Sequence, residues 1–160
     1  MFQRDVTMFA VPTPKILLLA ALGLALAGCG NETDPNSPEG KRQAAFKDFL
    51  SHSEPMGGML RDRLPFDGDA FAAHAQALAA SVEAPWAHFP EPGETEQKHA
   101  ALPEVWTDSA GFAQAIDRYR DAVAELAEVT AQGVETPEQV TEAFSAVQQS
   151  CKGCHDNFRR

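Results

Sequence analysis

The sequence has few cysteines, few positive charges and no long apolar run, and each shortage excludes a class of protein. Lysine and arginine number 13 against 23 aspartate and glutamate residues, so the formal net charge is −10. A surface this acidic argues against binding to nucleic acid. The longest apolar run, residues 16–27, is shorter than the about 20 residues that span a bilayer as a helix. Three cysteines are too few for the second pair that a zinc site would need.

Two of the three cysteines form one motif near the C-terminus, Cys151-Lys152-Gly153-Cys154-His155. This C-x-x-C-H spacing is typical of covalent attachment of a c-type haem. Positions i and i+3 share a helix face, so both thiols can form thioethers to the vinyl groups of one porphyrin. His155 follows directly and can supply an axial nitrogen to the iron. A redox-active cysteine pair is a weaker interpretation, because such pairs usually begin a helix after a strand and no strand pattern precedes this motif.

The N-terminal segment has the features of an export signal. Lys15 precedes the apolar run at residues 16–27, and small residues follow it. The stretch Leu26-Ala27-Gly28-Cys29 resembles the lipobox of bacterial lipoproteins, which implies cleavage before Cys29 and lipidation of that residue. An ordinary signal peptide that is cut nearby, with Cys29 left free, is the alternative. Export suits the haem motif, because bacteria attach c-type haem outside the cytoplasm.

The chain is therefore divided into three parts. Residues 1–28 are predicted to be a lipoprotein-type signal peptide, with Met8 as an alternative start. Residues 29–40 are polar and rich in glycine and proline, so they are interpreted as a flexible tether. Residues 41–160 are predicted to form one helical domain. We expect a periplasmic protein that is anchored to a bacterial membrane through Cys29.

Helical spacing of apolar residues extends from Lys41 to the C-terminus, and no strand pattern or internal repeat appears. We predict helices at about 38–60, 69–83, 108–132 and from about 136 onward. Pro55 should kink or interrupt the first helix, and Thr136 should cap the last one. The apolar seam of the last helix continues into the haem motif in steps of four and three, through Val140, Phe144, Val147, Cys151, Cys154 and Phe158. The haem would then lie inside an all-α, left-handed antiparallel four-helix bundle.

These features together resemble cytochrome c′, the four-helix-bundle class of c-type cytochromes. The resemblance covers about residues 41–160. Besides the haem motif, it rests on the segments Arg42–Phe46, Met56–Met59, Pro85–Pro90 and Leu102–Trp106. It implies one haem c with His155 as the only protein ligand of the iron, and an open sixth position that faces the first helix. A homodimer is a further expectation from the resemblance.

The resemblance assigns roles to three further residues. Phe46 matches the position that shapes the pocket on the open side of the haem, and without a donor atom it would leave the iron five-coordinate. Arg42 matches a position near the haem propionates, where a guanidinium can pair with a carboxylate. Arg159 follows His155 by four residues and is expected on the same helix face. The plain alternatives are a core residue for Phe46 and solvated surface charges for the two arginines.

A sixth protein ligand is not expected from the spacing. Met56 lies about 15 Å farther along a continuous helix than Phe46, at about 1.5 Å per residue. His52 points about 240° away from Phe46 on a regular helix. The other histidines, His74, His88 and His99, are interpreted as surface residues.

Two functions follow from these features. The first is a haem protein, not an enzyme, that binds diatomic gases, chiefly nitric oxide but also carbon monoxide, at five-coordinate iron. The alternative is an electron-transfer cytochrome of a membrane respiratory chain, with a redox protein partner. A peroxidase-like enzyme lacks support, because apart from Arg42 the first helix offers no histidine or arginine near Phe46 to cleave an O–O bond.

Overall fold

The computed structural model describes residues 33–91 and 100–160, which contain five α-helices. They are α1 (Pro38–Met59), α2 (Gly68–Ser81), α3 (Glu104–Thr107), α4 (Ser109–Ala131) and α5 (Glu138–Phe158). The predicted signal peptide and Cys29 lie outside these residues. The compact helical unit begins at Thr33, so it includes the last residues of the segment 29–40 that we interpreted as a tether. No helix in the described ranges is long and apolar enough to cross a membrane.

Side-chain caps fix where three of the long helices begin. The Ser37 hydroxyl accepts a hydrogen bond from the N–H of Gly40, and Asp67 and Asp108 cap α2 and α4 in the same way. Each such cap stabilises a helix by about 1 kcal/mol. The predicted Thr136 cap of α5 is wrong, because the side-chain oxygen of Gln139 accepts from the backbone N–H groups of residues 135 and 136 instead.

Of the two predicted effects of Pro55, a kink or an interruption, the interruption is wrong, because α1 is continuous through this residue. Pro55 lacks an N–H and cannot make the usual bond to the carbonyl one turn earlier. The helix nevertheless continues to Met59, and Met56 and Met59 are both buried in the core. Burial of these two side chains outweighs one missing hydrogen bond, since a buried methionine contributes about 1.5–3 kcal/mol.

The helices pack in the order α1 on α2, α2 on α4 and α4 on α5. Short connections join α1 to α2 and α4 to α5, so each of these pairs runs antiparallel. The predicted all-α antiparallel four-helix bundle is therefore confirmed. Over the described ranges, α1 and α5 do not pack along their lengths.

Two clusters of apolar side chains form the core. The main cluster contains residues of all four long helices, among them Phe49, Phe71, Leu126, Phe144 and Val147. A smaller end cluster consists of Ala101, Val105, Ala115 and Phe158. The end cluster is held by the C-terminus, because Arg160 donates its N–H to the carbonyl of residue 100 (2.8 Å) and Leu102 donates to that of Phe158 (2.9 Å).

Candidate functional site

The two motif cysteines lie on one face of α5, where the two clusters meet. Both thiols are half-buried. Cys151 packs against the main cluster, whereas Cys154 packs against the end cluster. The predicted continuation of the α5 seam into the haem motif is therefore confirmed. A group attached to both cysteines would cover the junction between the clusters.

The thiol pKa values argue against a redox-active pair. Burial raises the pKa of Cys151 to about 11. Burial also raises the pKa of Cys154, and the nearby Arg118 offsets this only in part. Redox-active C-x-x-C pairs need the reverse, a thiol pKa that is lowered by a helix N-terminus or a cation. The structure thus favours covalent attachment of a cofactor over thiol chemistry.

Five aromatic residues, which we call the aromatic group, pack together where α1 meets α4 and the loop after α2. They are Phe46, Phe49, Trp86, Phe89 and Tyr119. The Phe46 ring makes edge-to-face contacts with those of Phe49, Trp86 and Phe89, at centroid distances of 5.8, 5.9 and 6.5 Å. Such pairs add about 0.5–1.5 kcal/mol each beyond their buried area.

Two polar atoms of the aromatic group test whether a cofactor fits there. The indole nitrogen of Trp86 and the hydroxyl of Tyr119 are buried, and neither has a hydrogen-bond partner among residues 33–91 and 100–160. Burial, and then the neighbouring Cys151, raises the pKa of Tyr119, so the hydroxyl keeps its proton. An unpaired buried polar group costs about 1–3 kcal/mol. Unpaired donors close to Cys151 therefore fit a pocket that is completed by a large bound group.

His155 lies beside the cysteines, near the end of α5, and is exposed in the chain alone. Partial desolvation, and then the charge of Arg159, lowers the pKa of His155. The same-face prediction for Arg159 is wrong in its reason, because α5 ends at Phe158 and Arg159 has extended backbone angles. Arg159 is nevertheless close enough to influence His155. The backbone of Arg159 leaves the helical conformation because it pairs with Ala101 in an antiparallel bridge.

Arg42 is attached to the loop that carries part of the aromatic group. Its guanidinium donates a hydrogen bond to the carbonyl of His88 (2.6 Å) and lies 4.5 Å from the ring centroid of Phe89. The structure thus brings Arg42 and Phe46 to the same aromatic surface. Trp86 and Phe89 anchor this loop through ring contacts with Phe46 and Phe112.

Sequence reasoning did not assign the buried donors a part in the site. Tyr119 lies on α4 and Trp86 in the loop after α2, where an aromatic residue usually serves as a packing residue. Nothing in the sequence distinguishes a paired from an unpaired hydroxyl. The one available signal is that Tyr119 is the only tyrosine in the chain and lies on an otherwise apolar seam.

The site also lacks the ligands for a metal that is bound by protein alone. Among residues 33–91 and 100–160, no group of three or more histidine, cysteine, aspartate or glutamate side chains could hold a metal ion. A half-buried cysteine pair on a bundle seam, an adjacent histidine and an aromatic pocket with unpaired donors define a c-type haem protein of the four-helix-bundle class.

A sequence model described as cytochrome c′ matches residues 38–159. The chain therefore belongs to the cytochrome c′ family. As a member, it is a non-enzymatic haem protein, and Cys151 and Cys154 bind haem c covalently. Proteins of this family are typically periplasmic.

Individual relatives agree with this assignment. The cytochrome c′ of Halomonas halodenitrificans is 34% identical over 122 residues, which cover 74% of this chain and 92% of that protein. The structure of cytochrome c prime from Shewanella frigidimarina matches with a TM-score of 0.71 at 31% identity, covering 81% of this chain and 99% of that one.

Two mutants of cytochrome c prime from Alcaligenes xylosoxidans also match, one solved as its nitric oxide complex and one with bound carbon monoxide. The nitric oxide complex has a TM-score of 0.67 at 30% identity and covers 78% of this chain and 97% of that one. The carbon monoxide complex has a TM-score of 0.67 at 29% identity and covers 80% of this chain and 98% of that one.

Proposed function

We propose that this protein is an exported cytochrome c′ whose haem iron has one protein ligand, His155, and binds diatomic gases, chiefly nitric oxide. One observation carries the proposal. Phe46, which has no donor atom, is packed on three other aromatic rings in the space next to α1. A side chain held in this way cannot ligate the iron, and it restricts the size of a ligand that enters.

Each side chain of the site then has a separate task. The thiols of Cys151 and Cys154 hold the haem, whose iron supplies the position at which a gas binds. Partial desolvation, and then the charge of Arg159, lowers the pKa of His155, which favours the neutral form of the ring that a metal ligand requires. Arg42 fixes the loop at His88 and Phe89, and in this way supports the rings around Phe46.

Relatives support the choice of ligand. Cytochrome c prime mutants from Alcaligenes xylosoxidans have been solved with nitric oxide and with carbon monoxide. Because this chain shares their fold and the haem motif, we infer that the same two gases bind here. We also retain a redox protein partner and a homodimer as proposals that follow from the family resemblance alone.

Optical spectra of the purified haem protein test the proposal. We expect high-spin spectra in the oxidised and reduced forms, and a changed spectrum when nitric oxide or carbon monoxide is added to the reduced form. Phe46→Met introduces a thioether donor, and we expect it to give a low-spin spectrum with a weaker response to gas. Phe46→Leu is the matched control, since leucine has no donor atom and should keep the high-spin spectrum.

A different result for the wild type would overturn this assignment. A low-spin spectrum with sharp reduced bands and no response to either gas would mean that a protein side chain fills the sixth position. Electron transfer in a membrane respiratory chain would then be the better function.

We further propose that the protein is anchored to a membrane through lipid on Cys29. The lipobox-like stretch Leu26-Ala27-Gly28-Cys29 supports this. The full-length protein should partition into the membrane fraction, and Cys29→Ser should release it without loss of haem. Recovery of the wild-type protein in the soluble periplasmic fraction would mean that an ordinary signal peptide is cut nearby.

A further inference from the structure

Two histidines face each other across the α1–α2 interface. The Nδ1 atoms of His52, on α1, and His74, on α2, are 3.2 Å apart, and their ring centroids are 5.5 Å apart. The Nε2 atom of His52 lies 3.6 Å from a carboxylate oxygen of Asp48, one helical turn earlier. Both histidines are partly buried. Three side chains from two helices thus form a line from carboxylate to imidazole to imidazole.

The proposed haem site does not use these residues. The haem motif lies on α5, whereas this line joins α1 to α2. His52 was considered above as a sixth iron ligand, but its ring is directed at His74 instead. The arrangement therefore needs its own explanation, and it does not depend on the proposed gas-binding function.

The spacing of the two ring nitrogens fits a shared metal ion. Zinc binds histidine nitrogen at about 2.0–2.1 Å in tetrahedral sites, so two such nitrogens are about 3.3 Å apart. The observed 3.2 Å is close to that separation. The separation of the two Nδ1 atoms would hardly change on binding, although both rings would have to turn so that the nitrogens face one ion instead of each other.

The surroundings of the pair also fit metal binding. Histidines that bind a metal usually direct their other ring nitrogen to a carboxylate, which orients the ring, and Asp48 occupies that position for His52. Burial, and then the facing His52, lowers the pKa of His74. A neutral ring is the form that binds a metal, and His74 is kept in that form at neutral pH.

We propose that His52 and His74 bind one divalent metal ion of the imidazole-preferring class, such as Zn²⁺, with Asp48 as the residue that positions His52. Imidazole suits zinc, copper and nickel better than magnesium or calcium. Two protein ligands leave the remaining positions to water, so the ion should exchange readily. A bound ion would link α1 to α2 at a point where the metal-free chain has a single hydrogen bond between rings.

Calorimetric titration of the haem-loaded protein with Zn²⁺ alone tests the proposal. We expect one Zn²⁺ per chain, at least about tenfold weaker binding in His52→Asn and in His74→Asn, and unchanged binding in the matched control His99→Asn. Zn²⁺ should also raise the Tm of the wild type and of the control, because a ligand that binds only the folded state stabilises it. Equal Zn²⁺ affinity in the wild type and the His52→Asn/His74→Asn double variant would overturn the proposal.

Asp48→Asn separates positioning from a structural role. If Asp48 orients His52, this variant should weaken Zn²⁺ binding about tenfold or more, while its Tm in EDTA stays close to that of the wild type. Asp48→Glu, which keeps the carboxylate, should restore part of the affinity. Unchanged Zn²⁺ affinity in Asp48→Asn would remove Asp48 from the site, and a fall in Tm in EDTA without a change in affinity would show that its role is structural.

Discussion

The seam between α4 and α5 has two halves that are built differently. Toward the start of α5, Val140, Phe144 and Val147 are at most 1% exposed and pack into the main cluster. Toward the end of α5, Cys151 and Cys154 occupy equivalent seam positions but stay half-buried. The same repeat of apolar positions therefore produces a closed core in one half and an incomplete one in the other.

The buried hydroxyls on α4 show the same contrast. Thr130, in the closed half, donates to the carbonyl of Leu126 (2.9 Å). The hydroxyl of Tyr119, in the half near the cysteines, has no hydrogen-bond partner in the part of the chain that the structure describes. In a domain that needs no bound group to complete it, we would expect both hydroxyls to have hydrogen-bond partners, since an unpaired buried hydroxyl lowers the stability of the fold. The difference fits the proposal that haem completes the half around Tyr119.

The largest expected effect comes from breaking the closed half. Phe144→Ala should lower the free energy of unfolding of the haem-loaded protein by about 3–5 kcal/mol, because it leaves a cavity among side chains that have no room to close it. Denaturant titration followed by circular dichroism measures the loss. Leu50→Ala is the control, because Leu50 is 54% exposed and should change stability by no more than about 0.5 kcal/mol. Similar losses in both variants would contradict the closed-core description.

A smaller effect should distinguish the two hydroxyls. Thr130→Val removes a satisfied buried hydroxyl and should cost about 1 kcal/mol. We expect Tyr119→Phe to lower the stability of the haem-loaded protein by about as much. In that protein the completed pocket would provide the hydrogen-bond partner that the described residues lack. Thermal unfolding of the two variants compares them directly. No loss in Tyr119→Phe would mean that the hydroxyl stays unpaired beside the haem.

The sequence was sufficient to predict the long helices, the α5 seam and the cysteine pair. Each rests on a strong signal, namely many apolar positions in a fixed period or a motif of fixed spacing. Val140, Phe144 and Val147 are buried as the period requires. The closed half of the core was thus predictable almost completely, because packing there follows from hydrophobic spacing alone.

The details that failed depend on contacts between distant segments. Nothing local shows that burial of Met56 and Met59 carries α1 past Pro55, or that pairing with Ala101 turns Arg159 out of the helix. The short helix α3 was likewise not predicted, because it lies before the predicted start of the next helix at about residue 108. The sequence also does not predict that the Tyr119 hydroxyl is unpaired, since this depends on whether any of the segments around it in the fold offers a hydrogen-bond partner.

In its hydrogen bonding, the His52–His74 pair is intermediate between Thr130, whose hydroxyl is paired, and Tyr119, whose hydroxyl has no partner among the described residues. Its hydrogen bond requires that at least one ring stay neutral, because one nitrogen must accept. Burial, and then His52, lowers the pKa of His74 below its ordinary value of 6.5, and Asp48 and His52 are the groups that face it from α1.

The smallest expected effect is therefore a pH dependence of stability in EDTA. Just below pH 6.5 the unfolded chain holds a proton on His74 that the folded chain does not yet bind, so stability should fall as the pH is lowered through that range and level off below the folded pKa. Melting temperatures of the haem-loaded protein, measured from about pH 8 to about pH 5, give the slope. His74→Asn should flatten it. An equally steep slope in His74→Asn would mean that other groups cause the pH dependence and that protonation of the pair does not change the stability.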